Sequence, residues 1–338
     1  MKIGDRDTNV RVYVIAEIGG NHNGDPETAF RLVEAAAEAG VDAVKFQTYR
    51  AESLVHPSVE PVPLVRRFYA TQLERFKSLE LPWSAYERIV ARCRELAVDF
   101  LTTPFDLDLL ARFAPLMPAV KIASGDLTYR ALVEAAAATG KPVLLSTGMA
   151  TLQEVGDALA LVPEGRRAAL HCVSIYPLPD EDANLRAIPT LAAAFPDVTI
   201  GYSDHTVGME AAAASVALGA RIVEKHFTLD TRQQPGDHVL SLDPAGMAEL
   251  VRRIRRVEAM LGSGEKRPAA GEGTMRAQMR RGLYAARDLP AGTVLSESDV
   301  LCLRPATDLA PAEAGLVVGR RLARPLKALD AIRRETLT

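Results

Sequence analysis

The sequence predicts a (β/α)8 TIM barrel followed by a small C-terminal domain. Eight short runs rich in apolar and β-branched residues span 12–16, 42–47, 99–103, 119–123, 142–146, 169–174, 198–202 and 220–226. Longer amphipathic segments, such as 26–40, 83–97 and 127–140, lie between these runs. Near-continuous apolar strands that alternate with helices indicate a parallel sheet covered by helices, and eight βα units are the number that closes a barrel.

A doubly wound open sheet is the structural alternative. That fold usually carries a GxGxxG turn after its first strand, whereas this chain has IGGNHNG there. The length of 338 residues fits one large barrel with an appendage. We therefore expect the barrel.

Composition excludes several classes of protein. The formal net charge is −3, which argues against a dedicated nucleic-acid-binding protein. No apolar run approaches the ~18 residues of a membrane span, and the charged N-terminus is unlike a signal peptide. The three cysteines, Cys93, Cys172 and Cys302, are widely spaced and form no CxxC pair. We expect a soluble cytoplasmic protein with neither nucleic-acid nor membrane partners.

Three segments divide the predicted chain. Residues 1–264 form the barrel, the Gly/Pro/charge-rich stretch 265–279 is a linker, and 280–338 form the last domain. Within that domain ARDLPAGTVLSESDV (286–300) matches ARPLKALDAIRRETL (323–337) in apolar spacing without a gap. This internal repeat predicts two related halves.

Polar residues collect at the predicted strand ends, where a barrel builds its active site. Lys45 and Lys121 stand inside apolar strands, although lysine is almost never buried unpaired. A lysine at a strand end often extends to solvent instead, and lone hydroxyls there often cap helices. The hydroxyls available at these ends are Thr103, Ser124, Ser146 and Ser203. Their convergence with two lysines predicts a pocket for a small, multiply charged anion.

His205 and His226 end adjacent strands, close in sequence to the acidic residues Asp204, Glu224 and Asp237. Neutral imidazoles suit a divalent metal, so we expect Mn²⁺ or Mg²⁺ acting as a Lewis acid. A histidine that only makes structural hydrogen bonds is the alternative for each. We interpret Cys172 as a core residue.

Eight motifs and the last domain carry a family resemblance. The motifs occur in the order IAEIGGNHNG, VKFQTY, TTPFD, KIASGD, LSTGM, HCVSIYP, GYSDHT and EKHFTLD. In this order they resemble the sialic acid synthase family, which includes the legionaminate and pseudaminate synthases. The segments GLYAARDLPAGTVLSESDV and LRPATDLAP resemble that family's antifreeze-like (SAF) domain. The similarity runs from about residue 10 to the C-terminus.

The resemblance implies condensation of phosphoenolpyruvate with an N-acetylated hexosamine and release of phosphate. It implies that phosphoenolpyruvate is held by Lys45, Thr103, Lys121, Ser124, Ser146, Ser174 and Ser203. It implies a metal on His205 and His226, and a sugar site formed by Glu17, Tyr176 and Asp237. We also expect Gln47, in the second strand, to bind substrate. Arg304 of the LRP motif would reach the N-acetyl group from the other subunit of a domain-swapped homodimer. Glu17 is the expected group for the proton of the sugar hydroxyl.

Four departures from the family pattern limit these expectations. This chain has QPGDH at 234–238 where members often show GPD, and Ser174 where some have Asn. The segment 56–72 matches no sugar-binding signature, and LKALDAI replaces a Gly-containing turn, which predicts a changed loop shape. The sugar is therefore open between N-acetylmannosamine and a 2,4-diacetamido hexose. A pseudaminate synthase, another phosphoenolpyruvate-dependent sugar condensation and a non-enzymatic carbohydrate-binding protein are the alternatives.

Overall fold

The computed structural model describes the backbone of residues 1–338 and every side chain except that of Leu64. The chain divides into two compact units, Met1–Gly262 and Ser263–Thr338. The strands are β1 Lys2–Ile3, β2 Arg6–Asp7, β3 Tyr13–Glu17, β4 Ala43–Thr48, β5 Asp99–Pro104, β6 Val120–Ile122, β7 Val143–Ser146, β8 Arg167–Cys172, β9 Thr199–Asp204, β10 Ile222–His226, β11 Gly282–Ala285 and β12 Val300–Leu303. The helices are α1 Pro26–Glu38, α2 Ala51–Leu54, α3 Gln72–Leu79, α4 Trp83–Glu95, α5 Leu107–Phe113, α6 Arg130–Ala138, α7 Leu152–Ala160, α8 Ala187–Ala194, α9 Glu210–Ala217, α10 Pro244–Leu261, α11 Gly273–Met279 and α12 Ala314–Val317.

Strands β3 to β10 form one parallel sheet in the order β5-β4-β3-β10-β9-β8-β7-β6. Because β5 and β6 also lie beside each other, the eight strands form a nearly closed ring in chain order. This confirms the predicted barrel and all eight of its strands. The strands are buried on both faces, as the near-continuous apolar runs require. None of the helices among the described residues combines the length and apolar character needed to span a membrane.

Capping residues fix where the covering helices begin. The Asp25 carboxylate accepts a hydrogen bond from the Thr28 amide at the start of α1, and Asp243 does the same for Gly246 in α10. Thr151 and Glu154 form a reciprocal capping box on α7. Each cap satisfies amide groups that the helix itself leaves unpaired, so the loops end at defined positions.

An ion-pair network lies at the N-terminal end of the barrel strands. Arg6 pairs with Asp99 at 2.9 Å and with Asp42 at 3.4 Å, while Arg255 of α10 pairs with Asp42 at 3.0 Å. The Tyr13 hydroxyl donates to Asp99 at 2.7 Å. These contacts tie the N-terminal hairpin and the last barrel helix to the strands. Residues at this end of a barrel serve stability, and the opposite end is left for chemistry.

The second unit is built around a local two-fold axis that relates the two repeats. Positions 37 residues apart bond to each other: the Leu289 amide donates to Leu326 O at 2.8 Å, and the Leu326 amide donates to Leu289 O at 2.9 Å. The Gly292 amide bonds to Leu322 O, and its repeat mate, the Leu329 amide, bonds to Ala285 O. Paired bonds of this kind agree with two halves of the same structure.

Two sequence expectations for this unit need correction. The segment 265–279, predicted to be a linker, falls mostly within α11 and the turn before it and belongs to the second unit. The loop shape at 327–332 is also retained: Leu329 adopts φ +70°, close to the φ +80° of its repeat mate Gly292. The hydrogen bond to Ala285 O holds this conformation, although a side chain disfavours it.

We predict that Leu329→Gly stabilises the second unit. A left-handed backbone costs a leucine about 1–2 kcal/mol, and the extra chain entropy of glycine offsets only part of that gain, leaving about 0.5–1 kcal/mol. Hydrogen exchange of residues 285–332 in the full chain measures the change. Leu316→Gly in α12 is the control and should be destabilising by about 1 kcal/mol. Equal destabilisation by both changes would contradict the prediction.

Candidate active site

A cavity of about 280 Å³ lies at the C-terminal ends of the barrel strands. Twelve of the fourteen predicted site residues line it: Glu17, Lys45, Gln47, Thr103, Lys121, Ser124, Ser146, Ser174, Tyr176, Ser203, His205 and His226. Phe105, Ala123, Gly125, Met149, Cys172 and Glu224 complete the lining. The side chains meet because successive strands of a barrel direct alternate residues inward at the same end.

Four buried charges form the centre of this cavity. The Lys45 ammonium forms an ion pair with Glu17 and lies 3.6 Å from Glu224 Oε1. The Lys121 ammonium lies 3.9 Å from Glu224 Oε2, so Glu224 bridges the two lysines. All four side chains are at least nine-tenths buried. Two positive and two negative groups therefore balance within the barrel, as buried charges must.

Hydroxyl and amide groups surround the charges. Lys121 Nζ donates to Ser146 Oγ at 2.6 Å, and Lys45 Nζ donates to Thr103 Oγ1 at 3.3 Å. Gln47 Nε2 donates to Glu17 Oε1 at 2.9 Å. Each ammonium therefore has neutral partners beside its carboxylate, and these can rearrange when another anion arrives.

Burial and pairing shift the pKa values of these groups in opposite directions. Burial raises the pKa of Glu17 above its ordinary value, even with Lys45 beside it. Burial also acts to raise the pKa of Glu224, but Lys121 and Lys45 together hold that pKa below its ordinary value. Burial lowers the pKa of Lys121. Glu17 is thus the carboxyl that most readily becomes neutral, while Glu224 stays ionised between the lysines.

Gly148 allows Ser124 and Ser174, which line the cavity, to approach its backbone closely, and we call these three residues the Gly148 cradle. The Gly148 amide donates to Ser124 Oγ at 3.0 Å. A Cβ placed on Gly148 would collide with Ser174 Oγ and lie 2.9 Å from Ser124 Oγ. The absent side chain keeps two hydroxyls and a backbone amide close together, which is a suitable surface for oxygen atoms of a ligand.

His205 and His226 face each other with ring centroids 5.3 Å apart. His205 Nδ1 donates to Val173 O at 2.7 Å, which leaves Nε2 for another partner. His226 Nδ1 is buried without a hydrogen-bond partner. Burial, with His205 nearby, places the pKa of His226 well below its ordinary value, so the ring is neutral.

Burial acts to lower the pKa of His205, but Cys172 and the Val173 carbonyl hold that pKa above its ordinary value. With both rings neutral, the nitrogens without a protein partner, His205 Nε2 and His226 Nδ1, suit a divalent cation. Within the described residues, no group of three or more His, Cys, Asp and Glu side chains is arranged to hold a metal ion. Two protein nitrogens would therefore have to be completed by water or substrate oxygens.

The structure corrects the interpretation of Cys172. Cys172 is buried but lines the cavity, with Sγ 3.9 Å from His205 Nδ1. Cys172 is the last residue of β8 and lines the cavity together with Ser174 of the following loop. The alternation of the strand, continued by two positions, puts both residues on the same side. Burial alone would raise the pKa of the Cys172 thiol, but His205 lowers it below its ordinary value.

Asp204 does not stand beside the histidines as a potential ligand. It pairs with Lys225 at 2.9 Å, both side chains being fully buried, and neither residue lines the cavity. The register explains the difference, because Asp204 and Lys225 are Cα partners in adjacent strands and lie one residue out of phase with the cavity-lining positions.

Two predicted residues lie outside the cavity lining. Asp237 sits in a turn after β10, with Oδ2 3.9 Å from His226 Nδ1, and burial raises its pKa. Arg304 lies in the second unit, where its guanidinium contacts Met279 Sδ at 3.4 Å. Its expected reach to a neighbouring subunit stays a prediction.

The bridging role of Glu224 and the Gly148 cradle are features that the sequence analysis does not assign. Glu224 precedes His226 by two positions on one strand, so strand periodicity places both on the cavity side. That signal was available in the sequence. No local signal marks Gly148, because its role depends on two serines from other loops.

Fold and cavity together define the class: a barrel enzyme with a site for a small anion at its strand ends. The sequence profile of the NeuB family matches residues 32–266, and that of the SAF domain matches 280–338. The chain belongs to the NeuB family, which confirms the resemblance to sialic acid synthases and the prediction of an enzyme. The barrel-plus-SAF architecture is confirmed with it.

Named relatives span three products. The chain is 39% identical to the N,N'-diacetyllegionaminic acid synthase of Legionella pneumophila over 96% of this chain and 94% of that protein. It is 33% identical to the pseudaminic acid synthase of Campylobacter jejuni over 98% of both chains. The crystal structure of N-acetylneuraminic acid synthetase from Leptospira borgpetersenii, in complex with citrate, matches with a TM-score of 0.70 and 36% identity, covering 79% of this chain and 90% of that one.

Proposed function

We propose that this protein condenses phosphoenolpyruvate with an N-acetylated hexosamine, giving a nonulosonic acid and inorganic phosphate. The observation that carries the proposal is the pair of buried lysines, Lys45 and Lys121, bridged by Glu224 at the barrel mouth. Family membership supports it, since named relatives are synthases of legionaminic and pseudaminic acids.

Phosphoenolpyruvate carries a phosphate and a carboxylate on one three-carbon unit. Two ammonium groups in a sheltered cavity suit such a ligand, because charge-assisted hydrogen bonds are strong where water is excluded. The hydroxyls and the Gly148 cradle add neutral donors. We assign this half of the site to Lys45, Thr103, Lys121, Ser124, Ser146, Ser174 and Ser203.

The amino sugar would occupy the mouth of the cavity. Glu17, Gln47 and Tyr176 line that cavity beside the histidines, and Asp237 approaches from the loop after β10. Arg304 is assigned to the N-acetyl group from the partner subunit of a domain-swapped homodimer. The planar guanidinium of arginine presents several N–H donors in a fixed arrangement to a carbonyl oxygen, and a lysine ammonium does not.

The reaction forms one C–C bond. C3 of phosphoenolpyruvate attacks the aldehyde carbon of the open-chain sugar, and the aldehyde oxygen takes a proton. Water adds at C2, and cleavage of the C2–O bond releases phosphate and leaves a 2-keto acid. Lys45 and Lys121 stabilise the phosphate and carboxylate throughout. Glu17 is the group for the sugar proton, since it lines the cavity and burial raises its pKa above its ordinary value.

Mn²⁺ or Mg²⁺ bound at this site would supply Lewis acidity at the aldehyde oxygen. His205 and His226 would hold it, with the free His226 nitrogen as the observation that favours such a ligand.

Release of inorganic phosphate from phosphoenolpyruvate tests the function directly. The panel contains N-acetylmannosamine, its 6-phosphate and the 2,4-diacetamido hexoses, each with and without Mn²⁺. We propose the diacetamido hexoses as the first candidates, which the 39% identity to a diacetyllegionaminic acid synthase supports. If none of the sugars in the panel stimulates phosphate release, the proposal is rejected.

We predict that Lys45→Ala and Lys121→Ala raise the KM for phosphoenolpyruvate more than the KM for the sugar. Each change removes a charge-assisted contact worth roughly 1.5–3 kcal/mol, or about ten- to a hundredfold. Lys141→Ala is the matched control, because Lys141 lies just before β7, at the opposite end of the barrel, where its ammonium donates to Ala114 O. A rise confined to the KM for the sugar would mean that the lysines serve the other substrate.

A second prediction concerns the metal. His205→Ala and His226→Ala should weaken Mn²⁺ binding and lower turnover by orders of magnitude while the fold is retained, because each removes one of two protein ligands. Calorimetric titration with Mn²⁺ measures the affinity without requiring activity. His171→Ala is the control: this buried histidine bonds to Ala183 O and does not line the cavity. Unchanged Mn²⁺ affinity in both variants would identify the two residues as structural histidines.

A further inference from the structure

A short chain of hydrogen bonds lies behind Asp237, outside the cavity lining. Asn21 Nδ2 donates to Phe227 O at 2.9 Å and to Ser241 Oγ at 2.8 Å. Ser241 Oγ donates in turn to the backbone oxygen of Asp237 at 2.7 Å. Asn21 is 1% exposed and Ser241 is 5% exposed, so water does not compete for these bonds.

Other hydrogen bonds hold the loop that carries Asp237 at its base and, from Thr228 Oγ1 to His238 Nδ1 at 2.7 Å, at the residue after Asp237. The Leu242 amide donates to His226 O at 2.9 Å, and the Thr228 amide donates to Leu242 O at 3.0 Å. Gly236, directly before Asp237, has φ +123° and ψ −153°, a conformation that is essentially restricted to glycine. Because glycine is conformationally flexible, a hydrogen bond within the loop is needed to hold the backbone of Asp237, the next residue, in one position.

Asn21 anchors this hydrogen-bonded chain from the loop after β3, a different part of the barrel. It follows β3 in the IGGNHNG motif, close to Glu17 at the end of that strand. Glu17 and His226 are Cα partners across β3 and β10. The link from Asn21 through Ser241 therefore fixes the backbone of Asp237 relative to the strand ends that carry Glu17 and His226.

We propose that Asn21 and Ser241 are positioning residues that hold Asp237 against the amino sugar. This inference rests on the proposed function, which assigns Asp237 to the sugar. The pair touches neither cavity nor phosphoenolpyruvate site, so its influence is confined to the sugar half of the reaction.

Ser241→Ala breaks the bond to Asp237 while leaving the bond from Asn21 to Phe227 in place. A displaced contact group costs about ten- to a hundredfold, so kcat/KM for the sugar should fall by that factor. The KM for phosphoenolpyruvate should stay within about twofold. Thr228→Val is the matched control, because it removes another buried hydroxyl of the same loop, one that bonds to His238 and not to Asp237.

The double variant separates positioning from general loop stability. In an Asp237→Asn background, Ser241→Ala should change the sugar kinetics by less than about twofold, because residues that act as a unit are non-additive. Full multiplication of the two effects, or equal changes in both KM values, would overturn the inference.

Hydrogen exchange of residues 234–240 keeps this test independent of turnover. Asn21→Ala and Ser241→Ala should both increase exchange there, and Thr228→Val should do so less. The assignment of Asp237 to the sugar fails if no sugar supports turnover, or if Asp237→Asn leaves the sugar kinetics unchanged. Hydrogen exchange would still test whether Asn21 and Ser241 hold the Asp237 loop. Unaltered exchange in both variants would overturn that positioning role.

Discussion

The ion pairs among Lys45, Glu17, Glu224 and Lys121 are the constraint on which the rest of the site depends. Two lysines inside a barrel are costly unless carboxylates accompany them, because each unpaired buried ion costs several kcal/mol. The four residues come from β3, β4, β6 and β10, so the barrel must close for the charges to balance. Under the proposed function, fold stability and substrate recognition share the same side chains.

This balance also limits how an anion can enter. A ligand with a phosphate and a carboxylate adds negative charge to a centre that is already neutral. Glu17 is the group able to relieve the excess, since burial raises its pKa, whereas Lys121 and Lys45 keep Glu224 ionised. Under the proposed function, loss of charge at Glu17 would free Lys45 for the ligand and leave Glu17 with a proton. Binding and proton handling would then be coupled through one carboxyl.

Strand periodicity allowed the barrel and most of the cavity lining to be predicted from sequence. A strand alternates its faces, and a barrel brings strand ends together, so Lys45, Lys121 and His226 converge once the strands are located. Contacts that depend on register across strands were not accessible. The pairing of Asp204 with Lys225 follows from which residues stand opposite each other, and sequence alone does not give that register.

Other features depend on tertiary contacts that overrule local preference. Leu329 adopts a left-handed backbone because a hydrogen bond to Ala285 holds it there, although leucine disfavours that conformation. The tie from Asn21 through Ser241 joins positions 220 residues apart. Cys172 is a different case: its place in the cavity followed from simple alternation, and the prediction that it belongs to the core was wrong.

A crystal structure of the protein with phosphoenolpyruvate bound would locate this ligand relative to the two lysines. We expect phosphate and carboxylate oxygens within hydrogen-bonding distance of Lys45 Nζ and Lys121 Nζ, with the Lys45–Glu17 contact lengthened relative to the ligand-free protein. Phosphoenolpyruvate bound elsewhere, with Lys45 still paired to Glu17 and Lys121 still bonded to Ser146, would contradict it.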